Sequence, residues 1–342
     1  MLRRSLLAVP LARRGLAGGM AALPAGLGLA GGMAALPAMP ALAQAEWRPA
    51  RPITFVVPFA AGSGTDAVAR VLAQMLGAEL GGAAITVDNR AGANGTIAAR
   101  AVTQAAPDGH TLFVTTNTTH AANPWLMRRL DYDPINDFTP VSRLGNFVFW
   151  LTVGPSAPVG NLREFLALAR TRQVSYASGN GTGIVAGATV ARMGGVQMLH
   201  VPYRSTPPAI TDVIAGRVDS IVVDLTPTLG HVRDGRLRAL GVTSGRRSVL
   251  LPEVPTLAEQ GLDGFDLLSF CILLGPARMD PAAHAALAAA TARVGANPEF
   301  RRRLAELGFD AGTSTPAELE AFVRAQIAAW GEMIRGAGIE PE

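Results

Sequence analysis

A chain of 342 residues, 49% hydrophobic and 16% charged, is long enough for two domains of ordinary size and has a globular rather than a disordered composition. All thirty basic residues are arginine; Arg3, Arg4, Arg13 and Arg14 fall at the very start and the first acid is Glu46, so beyond the leader 26 arginines face 26 acids. A formally neutral body without a clustered basic face excludes a nucleic-acid partner.

The opening residues read as an export signal: a basic start, an apolar Ala/Gly/Leu run, and the small-x-small site Ala41-Leu42-Ala43, with cleavage after Ala43 or Ala45. Leu16–Ala25 recurs as Leu29–Ala38, a tandem duplication that lengthens the leader. The pairs Arg3-Arg4 and Arg13-Arg14 leave both the general and the twin-arginine export routes open. The uncharged stretch from Gly15 to Ala45 is long enough to span a bilayer, but its glycines, prolines and Ala-x-Ala end favour a cleaved leader over an anchor. No cysteine lies near it, so a lipidated N-terminus is excluded. The expected location is the periplasm. Cys271, the single cysteine, sits in an apolar run and reads as a small buried side chain.

Ile53-Thr-Phe-Val-Val-Pro-Phe-Ala-Ala-Gly-Ser-Gly-Thr-Asp66 comes next: a β-branched run, a small-residue loop, then an apolar-periodic helix from about Ala67 to Leu80, capped by Thr65 or Asp66. Strand, Gly-rich loop and helix start is a geometry in which backbone N–H groups attract an anion. The loop lacks the lysine of a P-loop and the spacing of a dinucleotide fingerprint, so alone it is as readily an ordinary turn. Further strands are expected at Ile85–Val87, Thr111–Thr115, Phe147–Val153, Met198–Val201, Ser220–Val223, Leu237–Val242 and Leu267–Leu274, with helices at Thr96–Ala106, Leu162–Arg170 and Pro208–Ala215. Such alternation implies parallel sheets with crossover helices, and ligands at the carboxyl ends of the strands. From Pro281 the chain turns helical. Thr315-Pro-Ala-Glu318 is a capping box, and Leu319, Phe322, Val323, Gln326, Ile327, Trp330 and Ile334 mark one packed face.

Four more loops follow strands and carry small polar residues: Thr115–Pro124, Ser178-Gly-Asn-Gly-Thr-Gly183, Pro202-Tyr-Arg-Ser-Thr206 and Val223-Asp-Leu-Thr-Pro227. Singly each is a loop; together they are donors in search of an acceptor. The order of segments is more specific. Ile53–Asp66, Val87-Asp-Asn-Arg-Ala-Gly-Ala-Asn-Gly95, Ala106-Pro-Asp-Gly-His-Thr-Leu112, Thr119-His-Ala-Ala-Asn-Pro124, Tyr132-Asp-Pro, His200-Val-Pro-Tyr203, Leu237–Ser244 and Leu251–Glu259 resemble, in order over residues 47–339, the tripartite tricarboxylate transporter substrate-binding proteins, the Bug/TctC family.

That resemblance implies a two-lobed α/β periplasmic binding protein of the type II-like build. Two Rossmann-like domains would be joined by two crossover strands near Phe147 and Ser269, lobe 1 being residues 44–147 plus 269–342 and lobe 2 residues 148–268. It implies capture of a small carboxylate by backbone amides of two facing loops, Phe59–Asp66 and Ser178–Gly183, with possible membrane permease subunits as partners and a monomeric chain. The expected ligand-binding set is Phe59, Ala60, Ala61, Gly62, Ser63, Gly64, Thr65, Asp66, Thr116, Asn117, His120, Ser178, Gly179, Asn180, Gly181, Thr182, Tyr203, Ser205 and Asp224, with no catalytic residue, metal or cofactor. His120 could face the ligand or hydrogen-bond its own turn. Departures from the family pattern (a shorter second loop with Ile184 in place of a histidine, Tyr203-Arg204-Ser205, Asp224-Leu225, and Phe270 for a common Trp) point to a ligand with one carboxylate and an apolar or aromatic body.

The rival class is a secreted hydrolase, and a ligand-sensing accessory receptor would share the fold. A hydrolase needs a nucleophile with a base in reach, yet Gly62-Ser63-Gly64 does not frame a nucleophile elbow. His110, His120, His200, His231 and His284 show no metal-ligand spacing.

Overall fold

The structure is a computed structural model that describes residues 47–248 and 251–342. The expected export signal at 1–43 lies outside the described residues. Strand β1 (Ile53–Val57) leads into α1 (Gly64–Glu79), β2 (Ile85–Asn89), α2 (Thr96–Thr103) and β3 (Thr111–Thr116). A π-helical turn (Thr118–Ala122) and the short α3 (Asn123–Leu126) precede β4 (Phe138–Phe147), which runs almost directly into β5 (Phe149–Val153). Then come α4 (Leu162–Thr171), β6 (Val174–Ser178), α5 (Gly181–Met193), β7 (Met198–Pro202), α6 (Thr206–Ile214), β8 (Ser220–Asp224), α7 (Leu229–Arg233) and β9 (Arg238–Val242). Finally β10 (Ser269–Pro276) is followed by α8 (Pro281–Ala296), α9 (Pro298–Glu306), β11 (Phe309–Ala311) and α10 (Pro316–Gly336).

The strands form two sheets, one ordered β11-β4-β10-β3-β1-β2 and the other β7-β6-β8-β5-β9. The chain passes from the first to the second at Val148, between β4 and β5, and returns before β10. Sequence alternation implied parallel sheets; the observed sheets are mixed. β1 pairs in parallel with β2 and β3, and β6 with β7 and β8, as crossover helices require. The strands that carry the chain between sheets run the other way: β10 is antiparallel to β3 and β4, and β5 is antiparallel to β8 and β9.

Alternation along β5 explains how one strand serves two cores. Phe149, Leu151 and Val153 point into one buried cluster, while Trp150 points into another with Ile221, Val223 and Leu225. The Trp150 indole N–H donates to the Thr228 hydroxyl at 2.8 Å, so the fully buried ring leaves no donor unpaired. At the C-terminus the capping box forms as read: Thr315 accepts from the Glu318 N–H and Glu318 returns to the Thr315 N–H. Leu319, Val323, Trp330 and Ile334 are the buried stripe of α10. Cys271 is buried and free within β10. Helix α1 starts earlier than its periodicity suggested. Ser63, not Thr65 or Asp66, is its N-cap, accepting from the Asp66 N–H at 3.3 Å.

Two departures thought to flavour the ligand pocket belong to the core instead. Phe270 is buried edge-on against Phe322, with ring centroids 5.0 Å apart. Leu225 is buried where a Cβ on Gly308 would lie 2.7 Å from its own Cβ. The argument from these two residues for an apolar or aromatic ligand body therefore falls away.

Candidate functional site

Three helix N-termini meet where the two sheets face each other. Gly179, just before α5, lies so close to α6 that a Cβ there would sit 2.4 Å from the Thr206 nitrogen. The α1 loop joins them: the Ala60 N–H donates to Ser205 Oγ at 3.0 Å, and Pro207 is the nearest neighbour of Gly62. Each helix end carries partial positive charge and outward N–H groups, so their convergence favours an anion without any cationic side chain.

The loop before α1 is shaped by its own acid. The Asp66 carboxylate accepts from the Gly62 N–H at 3.0 Å, from Asn89 at 3.0 Å and from the Arg70 guanidinium. Burial alone would push this carboxyl up, but the bonds from Arg70, Gly62 and Asn89 hold it below the usual carboxylate range. Asp66 therefore acts as a keystone of the loop, its carboxylate taken up by Gly62, Asn89 and Arg70. Asn89 also donates to the Phe59 carbonyl at 3.0 Å, tying β2 to the loop. The N–H groups of Ala60, Gly62, Ser63 and Asp66 are thereby assigned. Among the described residues no acceptor meets those of Ala61, Gly64 and Thr65. Ala61 and Gly62 are exposed at the rim, while Gly64 and Thr65 are buried.

Small polar side chains bridge the facing elements from beneath. Asn117 donates to Thr182 Oγ1 at 2.8 Å and accepts from the Ser269 hydroxyl, so it links the end of β3, the start of α5 and the returning strand β10. The Gly181 N–H donates to Thr118 Oγ1 at 3.1 Å. Asn180 caps α5 through the Gly183 N–H at 2.8 Å. Ser178 Oγ lies 2.6 Å from His200 Nε2. Thr116, Asn117, Ser178, Gly179, Asn180, Gly181, Thr182 and Ser205 are all buried, the condition of a polar cleft that is closed. Asp224, at the end of β8, reaches the same place: its Oδ2 would lie 2.1 Å from a Cβ on Gly64.

Two expected ligand residues point elsewhere. His120 is fully buried among Phe113, Phe138 and Tyr132, with its Nδ1 2.8 Å from Thr119 Oγ1; burial lowers its pKa to about 3 and keeps it neutral. Its Nδ1 thus bonds within its own turn, while its Nε2 is buried without a partner among the described residues. The Tyr203 hydroxyl donates to Asp212 at 2.6 Å on α6. Arg204 is exposed at the mouth, its guanidinium 3.5 Å from the Ala91 carbonyl. The expected ligand-binding set leaves out Thr118, Ser269 and Asn89. The Thr115-Thr-Asn-Thr-Thr119 run signalled the first and the Val87-Asp-Asn89 motif the last; nothing local marked Ser269.

The model of the tripartite tricarboxylate transporter family receptor matches residues 68–339. The chain belongs to this family. BugT of Bordetella pertussis is 31% identical to this family member over 300 residues, spanning 86% of this chain and 91% of BugT. A protein from the tcbD-tcbE intergenic region of Pseudomonas sp. strain P51 is 35% identical over 291 residues, spanning 84% of this chain and 86% of its own. The periplasmic binding protein BugD superposes with a TM-score of 0.82 at 29% identity, over 86% of this chain and all of BugD. MatC from Rhodopseudomonas palustris, solved with bound malate, gives 0.79 at 32% identity over 84% of this chain and 99% of MatC. An R. palustris protein solved with adipate gives 0.84 at 32% identity, over 86% of this chain and 99% of its own. The receptor thus has the two-lobed α/β fold of periplasmic binding proteins. Among its described residues no helix is long and apolar enough to cross a membrane.

Proposed function

We propose that this receptor is exported to the periplasm, captures a small carboxylate between lobes 44–147 plus 269–342 and 148–268, and presents it as a monomer to membrane permease subunits. The convergence of the α1, α5 and α6 N-termini carries this reading. Buried, unassigned N–H groups at Gly64 and Thr65 beside two further helix ends suit a carboxylate, and no buried arginine is needed to neutralise it. Malate and adipate in the related structures support an anionic ligand of this size.

The receptor performs no chemistry on its ligand. Ser178 and His200 make a nucleophile–base contact, yet among the described residues no carboxylate hydrogen-bonds the far ring nitrogen to orient it. That ring instead stacks on Tyr176, with centroids 4.9 Å apart.

Thermal denaturation of the leader-free chain with adipate, malate, benzoate and neutral adipamide tests the capture. A ligand that binds only the folded protein stabilises it by RT ln(1 + [L]/Kd), about 2.7 kcal/mol at a hundredfold excess over Kd. At least one carboxylate is expected to stabilise and adipamide to leave the transition unmoved; equal effects of amide and acid would defeat the anion reading. Export is checked by N-terminal sequencing of the secreted protein, expected to begin at Gln44 or Glu46. A leader retained in the membrane fraction would refute it.

A further inference from the structure

Asp224 is the one acid that the site's architecture leaves unexplained. It ends β8, faces Phe149 of β5 in the ladder, and is only 5% exposed. Its Oδ2 has no hydrogen-bond partner among the described residues. Among the described residues the neighbours recorded around it are uncharged. The start of α1 offers Gly64, the crossover offers Phe147, which lies against the same glycine, and the turn before α7 offers Thr228, whose hydroxyl donates to the Asp224 carbonyl at 2.8 Å. Asp66, the nearest acid on α1, is turned onto Gly62, Asn89 and Arg70. Among the described residues no cation pairs with it, and burial, partly offset by a hydrogen bond from its own backbone N–H, raises the Asp224 pKa to about 7.

A buried carboxylate with an unpaired oxygen is costly, whereas a neutral carboxylic acid has a proton to give. The free N–H groups of Gly64 and Thr65 open the helix that Oδ2 lies against, so a ligand carboxylate drawn to them would come to rest beside Oδ2. Two carboxyl groups that meet there cannot both be ionised and must share a proton. We propose that Asp224 enters the closed cleft as a neutral acid and donates its proton in a hydrogen bond to the ligand's carboxylate, so that capture takes up a proton from solvent. This rests on the carboxylate-capture reading and deepens it: the receptor selects a ligand whose carboxylate can lie against a second carboxyl group.

The sign of the pH dependence follows from the raised pKa. In an open cleft Asp224 is hydrated and titrates in the ordinary carboxyl range; closure on a ligand raises it. Affinity is therefore full below the ordinary range, falls by about tenfold per pH unit as pH rises toward 7, and levels off once the bound form is itself ionised.

The experiment is calorimetric titration of the leader-free protein with adipate, malate and benzoate at pH 6.0, 6.75 and 7.5, each in two buffers of different ionisation enthalpy. Asp224→Asn is measured in parallel and corrects for titration of the ligands themselves. The wild type is expected to take up close to one proton per carboxylate bound at pH 6.0 and progressively less as pH passes 7, losing affinity most steeply at the lower end of the range, while the variant takes up none and shows a flat profile. Wild-type binding without proton uptake overturns the proposal. So does affinity for hydroxyl-bearing malate that rises with pH, which would make Asp224 an ionised acceptor. Should none of the carboxylates bind the folded protein, the capture reading falls together with the proposal, an outcome distinct from binding without a proton. If Asp224→Asn fails to fold, the buffer dependence of the wild-type heats decides alone.

Discussion

Gly179→Val will abolish ligand capture and destabilise the protein by about 3 kcal/mol, the upper part of the usual range for overpacking. A Cβ at this position would lie 2.4 Å from the Ser205 carbonyl carbon, 2.4 Å from the Thr206 nitrogen and 2.7 Å from the Thr206 Cα. All three are backbone atoms, so no rotamer change relieves the overlap and the start of α6 must move. That start carries Ser205, whose hydroxyl accepts the Ala60 N–H from the opposite loop. The substitution therefore separates two of the three helix ends and breaks the link to the third. Gly230→Ala in α7 is the control: nothing lies within 4 Å of its Cβ position, and helix propensity favours alanine by about 1 kcal/mol. Urea unfolding together with titration of adipate measures both effects. A Gly179→Val protein that binds like the wild type would show that the α5 and α6 ends do not cooperate in holding the ligand.

The parts of this site that were legible in the sequence are those written locally. The β1–loop–α1 segment announces itself by a β-branched run, two glycines and an apolar-periodic helix, and the Ser178–Gly183 loop by its glycines. The strands that failed to show themselves have physical reasons. β4 holds Pro140 and Gly145, which break an alternating pattern, so only its continuation into β5 read as a strand. β6 reads Val-Ser-Tyr-Ala-Ser, with too few β-branched or apolar residues to stand out as a strand, and β11 is a three-residue edge too short for periodicity to declare it. Sheet direction was misjudged because alternation of strands and helices says nothing about a strand that leaves one sheet for another.

The cross-cleft bonds could not be read at all. Asn117 meets Thr182 across 65 residues and Ser269 across 152, and no local pattern records a partner that distant. The same holds for Asp224. Its sequence neighbours made it a candidate, but the lack of a cation beside it among the described residues is a property of the folded site. Neutral donors at the helix ends, together with the proposed neutral form of Asp224, would let a body with balanced charge hold an anion. Dipoles and N–H groups do what arginines would otherwise do, and they leave no unpaired cation when the cleft opens.

Gly64→Ala will leave the fold intact and still weaken carboxylate binding by about 5- to 150-fold, the equivalent of 1–3 kcal/mol of overpacking at closure. Gly64 opens α1 without a positive φ, so its backbone accepts alanine without strain, and an opened cleft has room for the methyl group. In the closed cleft that methyl would stand 2.1 Å from Asp224 Oδ2, 3.0 Å from its Cγ and 3.1 Å from the edge of Phe147. Phe147 is pinned against Phe309, with ring centroids 4.7 Å apart, and Asp224 is held in the β8 ladder, so neither withdraws cheaply. The lobes then stop short of full approach, and the contacts that complete the site are lost. Adding Asp224→Ala to Gly64→Ala removes the carboxyl from the collision but also the proposed proton donor. The double variant should therefore recover compactness in small-angle scattering with adipate present, without recovering wild-type affinity. Thermal unfolding, scattering and titration of the three proteins measure this, and a Gly64→Ala protein that both closes and binds like the wild type would mean that Asp224 does not press on the start of α1.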